Sequence, residues 1–418
     1  MTVEPHPLIM LPFAALLLAI AFAPLLLKHH WEMHYRKLCL ALAGITCGYY
    51  LFFLHAAGRV VTAGLDYASF IVIVGGFFVV AGGIHLQLRV PPTPLFNTLF
   101  LLAGALLGNL LGTVGASMLL IRPWLRINEK RFRPIHTVFF IIVVANLGGI
   151  LLPTGPPLLL GYLKGVPFLW TAQRCWLPWS VVLACVLLVY YILERRSAGP
   201  AMPPPPANET GCDWRCFGAA NLAAMILMLA ALIAAPAGWR ELIIFLAAVL
   251  SFFLGDSETR QRNEFRFAPL VEVAWLFLGI FGTMIPILDL MEHHAAQLGL
   301  RSDTQFFWTT GTLSAVLDNA PAYLAFLAAA LGLHDLAIGN RAHVSQFING
   351  HDHYLVAISL GATCFGALTY IGNGPNLLIK AIIDHRGLNT PGFFGYVFKF
   401  ALPILLPALV LISLLFFR

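Results

Sequence analysis

The twelve residues NLGGILLPTGPP, Asn146 to Pro157, interrupt an apolar run that extends from 134 to 171. Their setting decides the fold. A straight helix through that run would be far longer than the roughly 20 residues that cross a bilayer. Gly, Asn and Pro at its centre each weaken or stop a helix. A second run, 351–384, is broken in the same way by Gly372-Asn373-Gly374-Pro375-Asn376. Two more apolar regions are interrupted by polar tips: 95–122 at Gly112-Thr113-Val114-Gly115-Ala116-Ser117, and 304–333 at Leu317-Asp318-Asn319-Ala320-Pro321.

The rest of the chain shows the medium in which these breaks lie. Of 418 residues, 59% are hydrophobic and only 11% charged, and the mean hydropathy is +0.83. Soluble domains carry about 25% charged residues. Further apolar runs occur at 8–27, 37–56, 67–88, 176–193, 217–235, 240–254, 269–290 and 394–417. The predicted fold class is an all-α polytopic membrane protein. The first run follows MTVEPHPL, which has no basic leader, so 8–27 is read as a retained span rather than a signal peptide. The net charge of +6 comes from bases in short loops, which fits the cytoplasmic face of a membrane better than nucleic acid. The seven cysteines are scattered without a CxxC pair, and are expected to be small buried residues.

The order of runs repeats. Residues 1–193 form a first repeat with a hairpin at 95–126 and a broken helix at 134–171. Residues 217–418 form a second, with a hairpin at 304–333 and a broken helix at 351–384. The segment 194–216, rich in Pro and charge, is predicted to be a cytoplasmic linker. A duplication with Gly/Pro breaks at matching places is the mark of a secondary transporter. If each tip region enters and leaves on one side, each repeat makes five crossings and the second repeat is inverted. Most of the 25 Lys and Arg then fall inside, including the Arg122–Arg133 loop, and both termini lie outside. The arms are short as well: 304–316 as a helix reaches only about 20 Å at 1.5 Å per residue.

Backbone at membrane depth must be satisfied, so a break there lines a cavity or binds something. Each repeat supplies one tip and one break, giving two expected half-sites. Thr113, Ser117, Asn146 and Thr154 are the candidates in the first repeat; Asp318, Asn319, Asn373 and Asn376 in the second. Helix ends, carbonyls and amide oxygens can take up a dehydrated cation or hold an anion. Asp318 or Asn319 can also serve simply as the N-cap of the second hairpin arm, and the asparagines as interhelical hydrogen bonds. An acid in the membrane costs about 2.5–3.5 kcal/mol on insertion scales, which points to Asp318 as a group that alternately carries a cation and a proton. Lys380 is expected to snorkel to the interface. Glu272 and Asp289 are expected at the interfaces, and His351, His353, His293 and His294 in solvated outer loops. No P-loop, HExxH or GxSxG motif is present, so neither an enzyme nor an ATP-driven pump has motif support. No bound cofactor is expected.

The segments GTVGASMLLIRP (112–123), ANLGGILLPTGPPLLLGYLKG (145–165), EVAWLFLGIFGTMIP (272–286), LSAVLDNAPAYLAF (313–326) and YIGNGPNLLIKAI (370–382) resemble the ion transporter superfamily. That superfamily includes NhaD-type sodium/proton antiporters, arsenite exporters and sodium-coupled citrate and dicarboxylate carriers. The likeness is greatest to a bacterial branch called either sodium/proton antiporters or citrate transporters. It implies scaffold and transport domains, opposed re-entrant hairpins, often a homodimer, and elevator-like alternating access in the inner membrane. The carboxylate carriers have a Ser-Asn-Thr tip on each hairpin, whereas these tips read Val114-Gly115-Ala116-Ser117 and Leu317-Asp318-Asn319-Ala320. The acid favours Na+ (or Li+) exchanged for H+ as the transported ions. Carriage of citrate or another dicarboxylate is the alternative.

Overall fold

The structure is a computed structural model and describes residues 4–197 and 213–417. The chain is helical almost throughout. The first half holds α1 (Leu11–Leu26), α2 (Lys28–Phe52), α3 (Ala57–Gly82), strand β1 (His85–Arg89), α4 (Pro94–Asn128), α5 (Pro134–Phe140), α6 (Pro156–Lys164) and α7 (Trp170–Ser197). The second holds strand β2 (Asp213–Phe217), α8 (Ala219–Ala234), α9 (Trp239–Leu254), α10 (Ser257–Arg262), α11 (Ala268–His293), α12 (Asp303–Val316), α13 (Asn319–Gly332), α14 (Arg341–Gly350), α15 (Asp352–Phe365), α16 (Gly374–His385) and α17 (Leu402–Phe416). Among the described residues, six helical stretches are long and apolar enough to cross a membrane: Pro7–Pro24, Ala57–Gly82, Pro94–Arg131, Trp170–Ser197, Ala268–His293 and Gly395–Phe416.

The third of these stretches does not run straight. Thr93 caps its start by accepting the Phe96 N–H, with Pro94 at the first helical position, a start signal in the sequence itself. At Gly112 the backbone turns to φ 72°, ψ 154°, a region essentially open only to glycine. The chain then doubles back. Asn97 Nδ2 donates to Asn128 Oδ1 at 2.7 Å, and the rings of Phe100 and Trp124 stack with centroids 5.4 Å apart. In one continuous helix, 97 and 128 would be about 46 Å apart. The second half builds its counterpart from two separate helices, α12 and α13. Ser302 and Gln305 form a capping box at the start of α12, and Asp318 caps α13.

Both broken helices open beside these tips. α5 continues into a π-helical turn, Ile141–Asn146, then a 3-10 turn, Leu147–Gly149, before α6 starts at Pro156. α15 ends in a 3-10 turn, Gly366–Leu368, and α16 starts at Gly374. Around them packs a continuous core in which Phe139, Phe140, Ile142, Val143 and Val144 are fully buried. α12 lies along α15, α13 against α6 and α11, and α3 against α4, α9 and α11.

Three local readings change. Residues 194–197 belong to α7 rather than to a linker, and 213–217 form a strand; 198–212 lie outside the described residues. β2 pairs antiparallel with β1, with His85 opposite Phe217 and Arg89 opposite Asp213. This small ladder is the exception to the all-α reading, and it clips the start of the second half to the end of α3. Asp289, expected at an interface, is 1% exposed within the protein rather than solvated. It accepts from Tyr50 Oη at 2.7 Å and pairs with Arg59 at 2.6 Å, the partners that make a buried carboxylate tolerable.

Candidate functional site

The polar centre is built where the two breaks meet. Asn146 Nδ2 donates to Asn376 Oδ1 at 2.9 Å and to the Ile141 carbonyl at 2.8 Å. Asn373 Nδ2 donates to Asn146 Oδ1 at 3.1 Å and to the Ala145 carbonyl at 2.7 Å. Asn376 Nδ2 donates to the carbonyls of Gly366 and Thr369, both at 2.9 Å. These bonds answer the question each break raises. A π-turn frees backbone carbonyls, and the side chain of Asn146 closes back on one of them. Asn146 of the first half therefore sits with Asn373 and Asn376 of the second. Interhelical hydrogen bonds of this kind hold two segments together at membrane depth.

Asn319 comes close to the same point. A Cβ on Gly366 would lie 3.1 Å from Asn146 Oδ1 and 3.6 Å from Asn319 Cβ. Asn319 is buried, yet its Oδ1 has no hydrogen-bond partner in the protein. Asp318 is half-buried at the start of α13. Its carboxylate accepts the Ala320 N–H at 3.0 Å and lies beside the Gly374 amide at the start of α16. Two helix N-termini thus converge on one carboxylate, and both favour its negative charge.

Thr113, Thr154 and Ser117 belong to the first tip. Thr154 Oγ1 donates to the Asn109 carbonyl at 2.7 Å, and the Leu151 N–H donates to Asn109 Oδ1 at 2.7 Å. The second half repeats this device: Thr369 Oγ1 donates to the Ala315 carbonyl at 2.7 Å. In each half a threonine of the break holds a carbonyl two or three residues before the tip. Thr113 faces the break from the other side, its methyl 2.7 Å from where a Cβ on Gly149 would be. The hydroxyls of Thr113 and Ser117 are buried without a protein partner. Such oxygens cost about 1–3 kcal/mol each unless something fills them.

Lys380 does not reach this centre. Its ammonium pairs with Asp384 one turn along and lies 5.7 Å from the Tyr370 ring centroid. Among the described residues no three His, Cys, Asp or Glu side chains gather as a metal-binding set. The groups offered are amide and carbonyl oxygens where the breaks meet, two hydroxyls at the first tip and one carboxylate at the second.

Two buried ionic clusters escaped sequence reading. One is Asp289 with Tyr50 and Arg59. The other is Glu194, which accepts from Arg131, from His136 Nε2 at 3.2 Å and from Asn97 at 3.2 Å, joining α7 to the base of the α4 hairpin. Each pairs residues far apart in the chain, and nothing local in the sequence announces the contact.

A bundle whose helices break at matching tips and meet in buried polar groups defines a class, a multi-pass membrane transporter rather than an enzyme. Residues 4–417 match the family model described as "Putative citrate transport", and the chain belongs to that family. A comparison with curated proteins found no match.

Proposed function

We propose that this transporter exchanges cytoplasmic Na+ (or Li+) for external H+, with Asp318 as the carboxylate that the two ions share. The observation that carries this is Asn319 Oδ1, a buried acceptor without a partner on the residue that follows the capping carboxylate of Asp318. An amide oxygen and a carboxylate attract a cation or a proton and repel a carboxylate substrate. A group that holds either a proton or a metal ion, never both, couples the two fluxes. In this reading the protein lies in a bacterial inner membrane with both termini outside. Its halves are inverted copies, each supplying one tip and one break, and the matched Thr154 and Thr369 bonds support that relation. Thr113, Ser117 and Thr154 form the first-half site, and Asn146, Asn373 and Asn376 hold the two breaks in register.

One observation favours a second reading, Na+- or H+-coupled carriage of citrate or a dicarboxylate: the family description itself. Purified protein in liposomes with a pH gradient and a trapped pH dye separates the two. Sodium, lithium, potassium and citrate are added one at a time to wild type and to Asp318→Asn. The exchange reading expects sodium or lithium to collapse the gradient in wild type and not in the variant. Citrate-driven proton movement, or undiminished sodium exchange by Asp318→Asn, would refute it.

A further inference from the structure

Another buried charge belongs to neither of the two ionic clusters. Arg122 sits on the returning arm of the α4 hairpin and is 7% exposed. Its ion-pair partner among the described residues is Glu264, at 3.7 Å, whose own side chain is 66% exposed. That is a long, wet contact for a deeply placed guanidinium. Arg126, one turn further along the arm, and Arg386, at the end of α16, are both close enough to repel it. α16 packs against α4, so the exposed Arg126 and Arg386 bring two more positive charges from two elements toward the buried Arg122. Holding like charges together in a partly desolvated place is unfavourable unless an anion joins them.

Glu264 has a further peculiarity. Its backbone is left-handed, φ 46°, an uncommon conformation for a residue with a side chain. The loop is held there from both sides, because Asn263 donates to the carbonyls of Gly82 at 2.9 Å and Ile84 at 2.7 Å. This strained corner carries a carboxylate toward Arg122 without bringing it to bidentate distance.

We propose that Arg122, Arg126 and Arg386 form a binding site for a multi-oxygen anion, a phosphate or carboxylate group, at the base of the α4 hairpin, and that Glu264 is its displaceable internal occupant. The guanidinium fork matches such groups in bidentate fashion. Basic pockets between membrane helices on the cytoplasmic side take up anionic headgroups, and the basic-loop bias puts this end of the bundle inside. The anion can come from an anionic phospholipid or from solution. The site is independent of which ion is transported.

The test uses the full-length protein purified in a neutral detergent. Retained phosphatidylglycerol is measured against phosphatidylcholine by mass spectrometry, and inorganic phosphate binding by calorimetry. The variants are Arg122→Gln, Arg386→Gln and Glu264→Gln. The arginine variants are expected to lose at least tenfold in retention or affinity, and Glu264→Gln to gain severalfold. Loss in the lipid arm assigns the headgroup, and loss in the phosphate arm assigns a soluble anion. Arg386 is exposed, so Arg386→Gln keeps the test decisive even if Arg122→Gln does not fold. Wild-type protein that binds neither probe, or arginine variants that bind like wild type, overturn the proposal.

Discussion

Replacing Gly112 by alanine tests how the first tip is built. Two costs arise there and they add. The backbone at φ 72°, ψ 154° lies in a region that costs a side-chain-bearing residue about 1–3 kcal/mol. A Cβ would also meet the Thr154 carbonyl oxygen at 2.6 Å, and that atom is backbone, so it cannot rotate away. Overpacking of this kind costs typically 1–3 kcal/mol. The sum is about 2–6 kcal/mol, unless the tip shifts and gives up the bond from Thr154 to the Asn109 carbonyl. Gly44→Ala is the matched control. Gly44 lies within α2 with no atom within 4 Å of an added Cβ, so alanine there is neutral or stabilises by up to about 1 kcal/mol. Unfolding in mixed micelles against denaturing detergent measures both, and proteoliposome flux reports whether the tip still works. If Gly112→Ala unfolds within about 0.5 kcal/mol of wild type and transports normally, the Gly-only conformation and the close approach to Thr154 are both wrong, since that change is the size of an ordinary surface substitution.

Two further outcomes follow from other sites. Asn146→Ala leaves the Ile141 carbonyl and Asn376 Oδ1 without their donor; a loss of about 1–3 kcal/mol in the same unfolding assay is expected, at the modest end if membrane asparagines behave as most interhelical bonds do. At the base of the second hairpin, His334 stacks on His351 with ring centroids 3.5 Å apart. Burial, then the neighbouring His351 and His353, pushes its pKa below the ordinary value of 6.5. The neutral ring is therefore the one the fold prefers. Stability it contributes is present above pH 6.5 and is lost as pH falls through the lowered value, so melting temperature drops from pH 8 to pH 5 and His334→Gln flattens that slope. An unchanged slope in the variant removes His334 from the account.

Much of the framework is written locally in the chain. Long apolar runs dictate helices at membrane depth because only a helix satisfies its own backbone there. Gly-Pro-Asn interruptions show where those helices stop, because each such residue removes a donor, a restraint or a regular turn. Asp318 could be read as an N-cap from the residues after it, and it caps α13. These are properties of neighbours a few residues apart.

What the sequence alone determined is therefore the class of the protein and the places where its helices break. What only the tertiary structure decided is which break faces which. Asn146 meets Asn373 and Asn376 across the two halves, more than two hundred residues along the chain. Asp289 is buried because Arg59 and Tyr50 reach it from elements early in the chain. Arg122 is the same case, paired with Glu264 of the loop before α11, more than a hundred residues along the chain. The physical reason is common to all three. A polar side chain in an apolar protein is worth keeping buried only with a partner, and partners are assigned by packing, which no local pattern encodes.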